Sequence, residues 1–337
     1  MTDLTCRAPN GTTCVAHTRA YRDGELVEEG FDVALVSDHL EVEGTVVWLD
    51  LLQPSVEDLQ VLVEEFGLHE LAVEDAVNAR QRAKLDSYDD HLFLSCYVAR
   101  LDDATAELAV DEIDAFVTDR ALVTVRKSEN LDVAPLLARW DHDKKLAGSG
   151  VGYLLYGLLD LLVDGHFEAV QLLDEELDKI EDTLFDERPR TRDLQRRSFE
   201  VRKSLVQLRR VVLPMREIVN SLLRRDLDIV DEHMQPYYQD VYDHVLRASE
   251  WTESLRDLVS TILETNLTLQ GNRLNVVMRS LTSWAAILAV TTAITGFYGQ
   301  NVPYPGFQAQ SGFITSLALL VGATGGLYLY FKKRGWL

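Results

Sequence analysis

From Val276 to Leu337 this 337-residue chain contains no aspartate and no glutamate. The only charges there are Arg279, Lys332, Lys333 and Arg334, +4 in all, so the formal charge of −22 leaves −26 on the first 275 residues. An acidic body on a charge-poor tail argues against nucleic acid as a partner, whose phosphates would be repelled. It admits cations, although a solvated acidic surface explains most of the charge. Cysteine is scarce too: Cys6, Cys14 and Cys96 show neither metal-ligand nor redox spacing. With an odd thiol count, and no apolar segment in the opening MTDLTCRAPNGTT, we expect a reducing cytoplasm and no cleavable targeting segment. The eight histidines are scattered, none at an HxxxH spacing, and there is no Gly-x-Ser-x-Gly elbow. GSGVG from Gly148 to Gly152 lacks the Lys-Ser/Thr of a phosphate loop and reads as a linker, so no enzyme is expected.

Proline is missing between Pro236 and Pro303. Pro236 suits a first helical turn, so one helix can run from there to Tyr298, on the order of 90–100 Å at 1.5 Å per residue. The tail holds two uncharged runs, LTSWAAILAVTTAITGFY (Leu281–Tyr298) and FITSLALLVGATGGLYLYF (Phe313–Phe331). Each approaches the roughly 20 residues of a bilayer-crossing helix; a buried hairpin in a soluble core is the alternative. Trp284, Tyr298, Tyr304, Tyr328, Tyr330 and Trp336 lie near the ends, as interfacial aromatics do. Arg279 precedes the first run and Lys332, Lys333 and Arg334 follow the second, while the loop NVPYPGFQAQSG is uncharged. The positive-inside rule then puts both termini in the cytoplasm and the short loop outside.

Upstream, TVVWLDL, HLFLSCYVARL, IDAFVTD and ALVTVRKS read as strands. PSVEDLQVLVEEFG reads as a helix with Ser55 as N-cap and Gly67 as its stop. From Val151 the pattern turns to long helices, Tyr153 to about Glu187 and Thr191 to about Asp228, with the turn at DERPRT around Pro189. The expected plan is an α+β cytoplasmic domain, an α/β sandwich, at 1–150. A helical hairpin follows at 151–235 and a stalk helix at 236–280. The first span is 281–300, the outer loop 301–312, the second span 313–331 and a basic tail 332–337.

Asn275, Met278, Leu281, Ala285, Ala289, Thr292, Gly296 and Gly299 recur at alternating steps of three and four, one narrow face of a supercoiling helix. Small residues on a membrane helix serve close helix packing. They can also line a pore, which two spans cannot enclose alone, so that reading requires an oligomer around a central axis. Asn301, just past the first span, is either a helix C-cap beside Gly299 or an ion ligand.

Tyr298-Gly299-Gln300-Asn301 resembles the Tyr-Gly-Met-Asn signature of the CorA family of magnesium channels. The likeness extends to Val73–Phe93 (VEDAVNARQRAKLDSYDDHLF), Tyr153–Phe167, Leu208–Val219, Pro236–Val245 and the terminal FKKRGWL. It implies a funnel-shaped homopentamer whose long stalk helix lines the pore, with Asn275, Met278 and Leu281 at the neck and Thr292 deeper. The filter would be Tyr298, Gly299, Gln300 and Asn301, with the Gly299 carbonyl and Asn301 as the outer ion ring. Asp75, in VEDAVN, and Asp240, in YYQDVYD, match an intersubunit regulatory metal site, and Lys332, Lys333 and Arg334 match a basic ring at the pore mouth. The cargo implied is Mg²⁺, also the regulatory ion, with Co²⁺, Ni²⁺ or Zn²⁺ as further candidates. Gln300 in place of Met, and a loop without an acid, depart from the family pattern and bear on ion identity. Asp174–Glu187 carries eight acids and one lysine. It is either a solvated face or, in the resembled architecture, a counterweight to the basic tail; that tail otherwise anchors topology or binds anionic lipid. Two rival functions stay open: proton-linked Zn²⁺ transport of the related ZntB branch, and a membrane-anchored acidic scaffold that moves no ion.

Overall fold

Thr45–Leu52, Leu92–Asp102, Glu107–Val117 and Ala121–Arg126, rich in valine, leucine and aromatic residues, are all strands. The computed structural model describes residues 4–7, 13–78, 81–102, 105–142, 144–184, 191–224, 227 and 229–337. Its strands are β1 (Leu4–Arg7), β2 (Thr13–Arg22), β3 (Glu25–Glu29), β4 (Thr45–Leu52), β5 (Lys84–Ser87), β6 (Leu92–Asp102), β7 (Glu107–Val117) and β8 (Ala121–Arg126). They make one sheet in the order β1-β2-β4-β8-β7-β6-β5, with β3 beside β2. β4 and β8 are parallel; the other pairings are antiparallel. The helices are α1 (Val36–Glu41), α2 (Val56–Phe66), α3 (Glu70–Val77), α4 (Ala134–His142), α5 (Lys144–Ala147), α6 (Val151–Leu184), α7 (Thr191–Leu222), α8 (Gln235–Tyr298) and α9 (Gln310–Lys333).

Side chains alternate across the central strands and so feed two cores. Trp48, Leu94, Cys96, Ile113 and Leu122 meet Trp140, Leu158, Met215 and Tyr238 from α4, α6, α7 and α8. Val47, Leu49, Phe93, Phe116 and Val123 meet Leu59, Leu62, Ala72 and Ala76 from α2 and α3. The expected mixed α/β domain is therefore a sheet covered by helices on both faces. The change to long helices at Val151 is a change of element rather than a break in packing. The chain divides into compact units at 1–260 and 261–337, with the boundary inside α8.

Local chemistry sets the ends of the elements. Ser55 Oγ accepts from the Asp58 backbone N–H at 3.1 Å, and Asp58 Oδ2 accepts from that of Ser55 at 2.9 Å, a reciprocal cap on α2. Gly67 ends the helix with φ 65°. Gly148, Ser149 and Gly150 turn the chain from α5 into α6, while Val151 and Gly152, expected in the linker, are the first residues of α6. Gly152 is further constrained, because a Cβ there would lie 2.6 Å from the Ile229 carbonyl. The Tyr238 hydroxyl donates to the Gly152 carbonyl at 2.8 Å and ties the start of α8 to the start of α6. α7 ends at Leu222, short of the expected Asp228, and contains Pro214. The expected turn at DERPRT, and the last three residues of the acidic stretch to Glu187, lie outside the described residues. α8 is one uninterrupted helix of 64 residues, about 96 Å at the standard rise.

Candidate functional site

Beyond residue 260, α9 covers one side of α8. The Thr291 and Thr324 hydroxyl oxygens are 3.1 Å apart, the Trp284 and Tyr328 rings are 6.4 Å apart, and Ser283 and Ile287 are buried. At about 100° per residue, Ser283, Ile287, Thr291 and Ile294 share one face of α8. The small-residue stripe lies about 180° from that face by the same count. Asn275, Met278, Leu281, Ala285, Ala289, Thr292, Gly296 and Gly299 are all exposed. Packing against α9 is thus not what the stripe does; it stays open to other copies or to a pore. The Thr292 hydroxyl donates to the Leu288 carbonyl at 2.8 Å, so its free lone pairs make it an acceptor toward that open face.

Past the helix end the chain folds back on itself. The Gly299 N–H donates to the Thr295 carbonyl at 2.9 Å, and the Tyr304 hydroxyl donates to the Tyr298 carbonyl at 3.2 Å. The Tyr304 ring packs at 5.1 Å from Tyr298, 6.1 Å from Phe297 and 5.3 Å from Phe307. Gly306, with φ 88°, lies against Gly312, where a Cβ would come within 2.2 Å of the Gly306 carbonyl oxygen. This aromatic and glycine clamp anchors the loop that carries Gln300 and Asn301. Asn301 is exposed, and its carboxamide makes no hydrogen bond among the described residues. It therefore does not cap α8 with its side chain. At the other end, Lys332 Nζ sits 5.8 Å from the Tyr328 ring, and the Arg334 guanidinium sits 5.6 Å from the Tyr330 ring. Both cations, like Lys333, remain exposed.

In the unit ending at 260, Asp75 is not simply solvated. Its Oδ2 accepts from Lys84 Nζ at 2.6 Å, and Lys84 also reaches Asp86 at 2.6 Å. Burial opposes the lysine charge, but the two carboxylates outweigh it and raise its pKa. Asp240 is exposed on α8, and no hydrogen bond or ion pair joins it to Asp75 among the described residues. One turn further along α8 stands a group that sequence reasoning missed. Asp160 and Asp164 of α6 and His244 of α8 bring their ligand atoms within 4.8 Å of one another. Arg139 pairs with Asp160, and with Asp164 at 3.5 Å. Burial raises the Asp160 pKa; Arg139 opposes that rise, while Asp164 and Asp240 add to it. The only trace in the sequence is the four-residue spacing of Asp160 to Asp164 and of Asp240 to His244, which puts each pair on one helix face.

α8 and α9 are long and apolar, yet their most apolar windows are only 11% and 6% buried. Such helices are out of place in a soluble core, and by length and composition they are two candidate membrane spans. Residues 43–333 match the family described as CorA-like Mg²⁺ transporter protein, and the chain belongs to that family. It is 30% identical over 296 residues to the cobalt/magnesium transport protein CorA of Thermotoga maritima, covering 87% of this chain and 84% of that one. It is 24% identical over 227 residues to the zinc transport protein ZntB of Pectobacterium atrosepticum, covering 67% and 68%. The complete structure of the CorA magnesium transporter from Methanocaldococcus jannaschii shares the fold, with TM-score 0.76, 21% identity and coverage of 96% and 98%. The chain is accordingly a divalent metal-ion transporter of the CorA family, and not an enzyme.

Proposed function

We propose that the chain assembles as a homopentamer in the cytoplasmic membrane and conducts Mg²⁺, with Co²⁺ and Ni²⁺, passively into the cytoplasm. The observation that carries this reading is the stripe from Asn275 to Gly299. It is exposed along its whole length, faces away from α9 and leads to the unbonded carboxamide of Asn301. Five copies with this face turned inward would line a path of small, weakly polar groups. Met278 and Leu281 would form apolar rings that gate by dewetting. At the outer mouth, Asn301 carboxamides and Gly299 carbonyls would present neutral oxygens. Mg²⁺ sheds its water reluctantly, and neutral oxygens accept hydrogen bonds from the hydrated ion without the tight binding that slows release.

Asp75 and Asp240 are the regulatory pair in this reading. A divalent cation bound between Asp75 of one subunit and Asp240 of the next would offset carboxylate repulsion and favour the closed arrangement. It would do so by its affinity difference between the two states. Lys84 already holds Asp75, so the cation competes with a built-in monovalent partner.

Competitive uptake of Mg²⁺, Co²⁺, Ni²⁺ and Zn²⁺ into proteoliposomes, with and without a proton gradient, tests the ion assignment. Mg²⁺ should enter down its gradient at a rate indifferent to pH. Zinc entry that requires protons, with no Mg²⁺ entry, would replace this reading with zinc transport. The absence of any ion flux would leave only a scaffold.

A further inference from the structure

α7 is strongly basic for so acidic a protein: eight of the 33 lysines and arginines lie on it, against three acids. Part of the helix borders a cleft of about 670 Å³, within the roughly 300–1,000 Å³ of small-molecule sites. Arg209, Arg210 and Leu213 form one wall; Arg82, Tyr97 and Val110, at the β5–β7 side of the sheet, form the other.

The charge in this cleft is not balanced from within. Arg209 Nε donates to Glu253 Oε2 at 2.9 Å across a half-exposed pair. Arg82 and Arg210 are exposed, and among the described residues neither has a hydrogen bond or ion pair. Glu112 stands behind Tyr97, with Oε2 3.5 Å from the phenol oxygen, and is itself buried. The Tyr97 hydroxyl also donates to the Gln81 carbonyl, which fixes the ring as a rigid wall. With Glu253 and Glu112 set against three guanidinium groups, an excess of positive charge remains in a chain that has 55 acids. Leu213, Pro214 and Val110 make the rest of the lining apolar.

Guanidinium groups grip phosphate oxygens in pairs and stack on planar bases, and an apolar wall accepts a base or a sugar. We propose that this cleft binds a phosphate-bearing small anion of the nucleoside triphosphate class, at a site separate from the cation path. The same phosphate chemistry is offered by inorganic polyphosphate, and the apolar wall favours the nucleotide.

Calorimetric titration of the full-length protein in detergent, in buffer stripped of divalent ions, tests it with ATP, tripolyphosphate and adenosine as probes. ATP should bind saturably, tripolyphosphate should compete more weakly, and adenosine should not bind. Arg82→Gln and Arg210→Gln should each weaken ATP about ten-fold or more, the loss of a charge-assisted hydrogen bond. Arg202→Gln, on the same helix outside the cleft, should change nothing. An unfolding temperature equal to that of wild type certifies that each variant is folded. Tripolyphosphate as tight as ATP would keep the phosphate site and remove the nucleoside. No saturable binding at millimolar ATP, or binding equal in wild type and both cleft variants, overturns the proposal.

Discussion

Asp114 of β7 should make this protein less stable as the pH rises. Its side chain is wholly buried, its oxygens make no well-aligned hydrogen bond, and Lys127 Nζ lies 3.3 Å from Oδ2. Burial lifts its pKa from 3.8 to about 7, against the pull of Lys127 and with the help of Glu112. Below 3.8 the group is protonated in both folded and unfolded chains and costs nothing. Between 3.8 and about 7 the unfolded chain releases the proton while the folded one keeps it, so stability falls; above about 7 the loss is complete. At 1.36 kcal/mol per pH unit the ceiling is about 4 kcal/mol, of which roughly 2.7 falls between pH 5 and pH 8. Asp114→Asn keeps the shape and removes the titration, and the cost of leaving the mostly buried Lys127 without its carboxylate is the same at pH 5 and pH 8, so it drops out of the pH dependence. For a unit of 260 residues, about 2 °C accompanies each kcal/mol. The unfolding temperature of the variant minus that of wild type should therefore rise by up to about 5 °C from pH 5 to pH 8. Other titrating groups cancel in that difference. A difference that is flat or shrinks with pH would refute the argument.

Lys84→Gln removes the competitor at Asp75, so Mg²⁺ should protect the variant from proteolysis at concentrations about two- to five-fold lower, the worth of a part-exposed ion pair. Asp75→Asn combined with Asp240→Asn should lose that protection; if Mg²⁺ protects it as well as wild type, these residues are not the sensor. Leu281→Asp should leak ions at high internal Mg²⁺, because a charged ring wets an apolar constriction; a tight mutant pore would remove Leu281 from the gate. Gly312→Ala should cut flux by displacing the Gly306 turn in the loop that follows Asn301, whereas Gly322→Ala, with open space around it, should not; equal flux in both would show that the loop clamp is dispensable.

The elements legible in the sequence are those whose pattern is local. Ser55 and Gly67 bracket α2, unbroken apolar runs mark α8 and α9, and the missing prolines allow a single stalk. β2 is hidden because the polar residues of AHTRAY mask a buried strand: His17, Thr18 and Arg19 are buried, and Arg19 reaches Asp141 from 122 residues away at 3.0 Å. β3 is exposed along its length and shows no alternation. Pro214 gave no break because the neighbouring packing holds α7 through it, with Met215, Ile218 and Val219 buried on the sheet core. At the sites, signature residues could be matched by their neighbours in the sequence, but their partners could not. Lys84 finds Asp75 only when β5 is laid beside α3, and His244 finds Asp160 only when α8 packs on α6.

In the proposed pore, cations pass a ring built by Asn301. Mg²⁺ uptake into proteoliposomes should be compared for wild type and Asn301→Ala, with both proteins matched for amount and for assembled oligomer. Saturable Mg²⁺ entry is expected with wild type, and none above the protein-free background with the variant. Wild-type flux through an assembled Asn301→Ala oligomer would contradict it.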